Sequence, residues 1–176
     1  MAEVIKTYSQ QIPATRFIGK QFGDTDRVDG GFGAQWAEAF RHNWFETIEK
    51  AAGGADICAA VYEDGGAYLG LMRHKEDEPF QYWVGMFTPV GTPIPEGFGC
   101  VDFPESECGV AWIKGKESTG ELYGKECMCL EAMQANGINV GGGDHGIWWF
   151  FERYTCPRFT KPDENGDVFL DICFMK

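Results

Sequence analysis

The stretch Ile147-Trp148-Trp149-Phe150-Phe151-Glu152-Arg153-Tyr154 constrains the fold more than any other part of the chain. Bulky aromatic residues at that density favour a strand. Side chains alternate across a strand, so Trp148, Phe150, Glu152 and Tyr154 share one face and Trp149, Phe151 and Arg153 the other. A carboxylate in line with large rings and a phenol is out of place on a plain core face. It suits a pocket for a flat, cationic molecule. The competing assignment is a strand-end glutamate paired with a surface Lys or Arg.

Size and charge narrow the setting of that pocket. At 176 residues, 44% hydrophobic and 15% aromatic, the chain is long enough for one domain with a sizeable core. Its apolar runs are too short to span a bilayer and Met1-Ala2-Glu3 opens no signal-peptide pattern, so no membrane association and a cytoplasmic location are expected. A net charge of −12 argues against direct nucleic-acid binding, which needs clustered Lys and Arg. The seven cysteines form no Cys-x-x-Cys pair, and the three histidines (His42, His74, His145) are scattered. Neither a metal site nor a cofactor is expected, and the thiols are read as reduced and mostly buried.

In chain order, residues 4–22 read as extended with a break at Ile12-Pro13-Ala14 and a strand at Arg16–Gly19. Trp36, Phe40, Trp44 and Ile48 recur at helical spacing, which predicts an amphipathic helix from Ala34 to Gly53-Gly54. Strands are expected at 57–63, 80–90, 108–114 and 168–175, with 68–72 a short strand or loop and 98–106 a proline-bearing connector. Ser118-Thr119-Gly120-Glu121 has the form of a capping box and predicts a helix from about Thr119 to Asn136. Gly141-Gly142-Gly143-Asp144 reads as a flexible loop; it follows a helix, so it is a poor phosphate cradle. The result is strand–helix–strand–strand, twice, meeting in the connector. This is an α+β chain with one antiparallel sheet and two main helices on one face, forming a single domain over 1–176 with lobes at about 1–92 and 107–176.

That order, together with Phe151-Glu152-x-Tyr154 and, after a turn, Val168-Phe169-Leu170-Asp171-Ile172, resembles the GyrI-like or effector-binding domain family. These domains occur alone or fused behind DNA-binding regions in AraC-type and MerR-type drug-responsive regulators. Ile12-Pro13-Ala14-Thr15-Arg16-Phe17-Ile18-Gly19 looks like the family's opening strand. The resemblance implies two lobes related by a pseudo-two-fold axis and a ligand cleft between them. It also implies that Glu152 matches the buried glutamate of the multidrug-binding members, and that this copy stands alone.

The site residues expected from both arguments are Glu152 and Tyr154, with Phe150, Trp112, Trp83 and Tyr62 near the seam. Asp171 is a further acid, more in keeping with a solvated face. The leading expectation is a non-catalytic module that senses or sequesters a small hydrophobic or cationic aromatic compound. A hydrolase of reactive cyclopropane-bearing toxins using Glu152 and Tyr154 is the first alternative the resemblance implies. A protein-binding inhibitor of the gyrase-inhibitor type is the second, and a separate regulator or protein partner belongs with these readings.

Overall fold

A computed structural model describes residues 1–141 and 144–176; Gly142 and Gly143, within the glycine run expected to be a flexible loop, lie outside the described residues. The strands are β1 (Glu3–Ile12), β2 (Thr15–Phe22), β3 (Tyr68–His74), β4 (Gln81–Pro89), β5 (Gly99–Phe103), β6 (Ser106–Gly115), β7 (Trp148–Tyr154) and β8 (Val168–Met175). The helices are α1 (Gly33–Arg41), α2 (Trp44–Ala52), α3 (Ala55–Ala59) and α4 (Glu126–Ala135). All eight strands join one sheet in the order β1-β6-β8-β7-β3-β4-β2-β5, and every pairing is antiparallel.

The order contains the repeat. The unit β2, α1–α2, β3, β4 is matched by β6, α4, β7, β8, and the units meet where β3 pairs with β7. Each half gains an outer strand: β5 lies against β2, and β1 against β6. Pro13 and Ala14 separate β1 from β2. The first two strands therefore end on opposite sides of the sheet.

Several local expectations are corrected. Residues 57–63 form no strand: Ala55–Ala59 is helical and turns follow, because a short apolar run carries too few residues for periodicity to separate helix from strand. The strand of that unit is β3, one of the two at the seam. The connector at 98–106 contains β5. The first long helix breaks at Asn43, whose φ of 53° is left-handed, into α1 and α2. The capping box does not form. Gly120 and Gly124 take φ of 69° and 65°, which interrupts a helical path, and Glu121 accepts from the Lys116 N–H at 2.8 Å. The α-helix starts only at Glu126.

Alternation sorts the strands onto two faces. The helix face carries Ile18, Tyr82, Val84 and Met86 beneath α1 and α2, and Ala111, Ile113, Leu170, Ile172 and Phe174 beneath α4. The opposite face carries its own core of Phe17, Leu69, Leu71, Phe87, Phe103, Val110 and Phe151. No α-helix lies over that second core among the described residues, so the sheet itself must enclose it. Edge strand β5 is four places from β7, about 19 Å in a flat sheet. Yet the rings of Phe103 and Trp149 lie 5.2 Å apart. The sheet is strongly curled.

A charged cluster is sealed inside this curl. Arg153 and Asp171 are both fully buried, joined Nε to Oδ2 at 2.8 Å. Arg158 bridges Asp171 to Asp64, and Arg153 also donates to Gln10 Oε1 at 2.7 Å and the Tyr8 hydroxyl at 3.2 Å. Two guanidinia balance two carboxylates, which lets the fully buried Arg153–Asp171 pair stay charged while Arg158 and Asp64 keep partial access to solvent. Asp171 is thus a structural ion-pair partner and not part of a solvated face.

Candidate functional site

The helix face opens into a cavity over the β3–β7 seam. It measures about 920 Å³ and is walled by residues of both halves, among them Trp36 and Phe40 of α1, Tyr68 and Met72 of β3, and Phe150, Glu152 and Tyr154 of β7. Glu126, in the first turn of α4, also lines it. Phe32 and Tyr82 stack at 4.1 Å between centroids, and Tyr154 meets Trp36 edge-on at 4.8 Å. The walls are therefore rings held by other rings, which keeps the cavity shaped in the absence of an occupant.

Glu152 sits in the wall of this cavity at 7% exposure. Two phenols converge on a single carboxylate oxygen: Tyr154 donates to Oε2 at 2.9 Å and Tyr82 at 3.1 Å. Trp36 Nε1–H donates in turn to the Tyr82 hydroxyl at 2.9 Å. Among the described residues, no protein donor meets Oε1. Half of the carboxylate is solvated by protein and half is left for something else.

The register explains how Tyr82 reaches. Gly70 lies directly across β3 from Glu152. A Cβ built there would collide with the Tyr82 hydroxyl and lie 3.0 Å from Glu152 Oε2. Only glycine leaves room for the phenol to cross the strand.

Burial pushes the Glu152 carboxyl up to about 7. The Tyr154 hydrogen bond holds it down in part, the negative Glu126 raises it, and the Tyr82 bond lowers it. The Tyr82 and Tyr154 phenols are raised well above the ordinary tyrosine value, first by burial and next by the Glu152 charge, so both remain donors.

Of the six residues expected from sequence, the structure brings Glu152, Tyr154 and Phe150 together. Trp83, Trp112 and Tyr62 lie on the other face with the curled core. Strand alternation explains this: Trp83 neighbours Tyr82 in β4, so one ring must point away. Trp112 packs between Lys6 and Arg158, 4.4 and 4.5 Å from its rings, and Tyr62 packs edge-on against Phe87. Sequence reasoning missed Tyr82, Trp36, Tyr68 and Gly70. For Tyr82 and Tyr68 the signal was their position on alternating strands; for Gly70 there was none. Among the described residues, no group of three or more His, Cys, Asp or Glu side chains is placed to hold a metal, and no helix is long and apolar enough to cross a membrane.

Fold and site together define a class: a doubled strand–helix–strand–strand sheet with an acid-bearing aromatic cavity over its seam. Solved structures share that fold. One is a candidate transcription regulation protein from Staphylococcus aureus MU50, 14% identical, with a TM-score of 0.59 over 97% of both chains. Another is SAV2435, solved bound to tetraphenylphosphonium, 14% identical, with a TM-score of 0.61 over 97% of this chain and 93% of that one. No sequence-family profile and no curated protein matches the chain.

Proposed function

We propose that the chain is an effector-binding domain of the GyrI-like type, which captures an aromatic lipophilic cation in the cavity over the seam. The observation that carries this reading is the half-satisfied carboxylate of Glu152 among rings. Its charged form is costly there without a partner, and a cation against Oε1 relieves that cost while the rings supply area and cation–π attraction. Support comes from the shared fold of a protein that carries tetraphenylphosphonium, an aromatic cation. The role that follows is sensing or sequestering, alone or beside a separate regulator.

The test is fluorescence titration with tetraphenylphosphonium as competitor of a rhodamine-type dye. Glu152→Gln weakens binding tenfold or more, about 1.4 kcal/mol, with the fold intact. A cation selects the ionised carboxylate, so affinity rises as pH is raised through the carboxyl value of about 7 and is flat above it. At pH 6 it stands roughly tenfold below its plateau. Equal affinity in both proteins, or no pH dependence in the wild type, removes the cationic-pocket reading.

One observation favours a second reading. A carboxyl near neutrality with one open oxygen beside a phenol is placed to act as a general base on water. Hydrolysis of a cyclopropane-bearing electrophile, followed by mass spectrometry and lost in Glu152→Gln, supports that enzyme; dye binding without turnover supports the binder.

A further inference from the structure

The cavity wall carries more than one carboxyl side chain. Besides Glu152, its wall includes Glu126 and Glu117, against a single basic residue, Arg27. Arg27 is already engaged: its Nε meets Asp24 Oδ1 at 2.9 Å, and its guanidinium lies 4.5 Å from the Phe32 ring. Among the described residues, no basic side chain pairs with Glu126, which is half-buried in the first turn of α4. Nor does any pair with Glu117, which is exposed at the mouth. The acidic residues alone would not make a site. The second observation is Glu152 itself, at 7% exposure with Oε1 open on the same wall.

We propose that the cavity is built for an elongated aromatic dication, with one positive centre against Glu152 and a second against Glu126. This deepens the effector-binding reading and rests on it. Three arguments support it. The two carboxylates come from different elements, a seam strand and the helix of the second half, and both line the one cavity. At about 920 Å³, the volume stands near the top of the roughly 300–1,000 Å³ usual for small-molecule sites, leaving room beyond a single cationic head. A monocation at Glu152 also leaves Glu126 facing an aromatic wall without a counter-charge, and a second positive centre removes that deficit.

The experiment compares an N-alkyl quinolinium with bis-quinoliniums whose two heads are joined by polymethylene chains of increasing length. Titration of the wild type gives at least tenfold tighter binding for one linker length than for the mono-cation, with weaker binding on either side of it. Glu126→Gln weakens the best bis-quinolinium several-fold more than it weakens the mono-cation, whereas Glu152→Gln weakens both ligands. Glu131→Gln, an exposed position on α4 outside the cavity, changes neither.

Affinity that rises steadily with linker length reports only added hydrophobic area and overturns the two-centre proposal. So does a Glu126→Gln effect equal for both ligands. In those cases mono-cation binding through Glu152 still stands. A wild type that binds neither ligand overturns both readings together.

Discussion

Gly70 shows how far one missing side chain can organise a site. It lets the Tyr82 phenol cross β3 and join Tyr154 on one oxygen of Glu152, leaving the other free. Gly70→Ala places a methyl group where that phenol lies. The expected outcome is a loss of about 1–3 kcal/mol in urea denaturation. Cation affinity also falls, because Tyr82 is displaced into the cavity. Unchanged affinity would show that the Tyr82 bond does not shape the site. At this scale the sequence was half legible. Alternation alone grouped Phe150, Glu152 and Tyr154, since the side-chain period of a strand is 2. It also placed Tyr82 and Trp83 on opposite faces but carried no sign of which face met the helices. Trp83, the ring expected near the seam, belongs to the other core.

Among elements, β7 joins two unlike environments. Phe150, Glu152 and Tyr154 face the cavity while Arg153, between the last two, is buried in the ion-pair cluster on the far side. That cluster ties β7 to β8 through Asp171 and to edge strand β1 through Gln10 and Tyr8. Arg153→Met keeps the bulk but removes a fully buried partner, with an expected cost of about 3–5 kcal/mol. Hydrogen exchange should register this first as lost protection in β1; equal loss across all strands would refute the anchoring role. Elements with strong periodicity, such as β8 and the stripe of α1–α2, were legible from sequence. The capping box misled because Gly120 and Gly124 favour left-handed turns that the Ser118–Glu121 spacing could not outweigh. β3 was obscure because Gly70 interrupts its apolar run, and that glycine belongs to the site.

For the whole molecule, the buried acid links the cavity to stability. The Glu152 carboxyl stands at about 7 against an ordinary 4.5, so the folded state binds its proton more tightly than the unfolded chain does. Its contribution is complete below pH 4.5 and is lost as pH rises through about 7, amounting to about 3 kcal/mol. Denaturation of the wild type minus that of Glu152→Gln, across this window, isolates the effect as a downward slope with pH. A flat difference would mean that the carboxyl is not desolvated.

The duplicated architecture was readable as a string of elements, but the position of β1 was not, because edge pairing is decided by long-range register. That position has a temporal consequence. In the sheet, the ten-residue β1 pairs only with β6, which is synthesised much later. It leaves the ribosome long before its template exists and must wait, unpaired, while the opposite half assembles. Closure of the curled inner core is therefore a late event in the protein's biogenesis, and β1 is among the last strands to find its place.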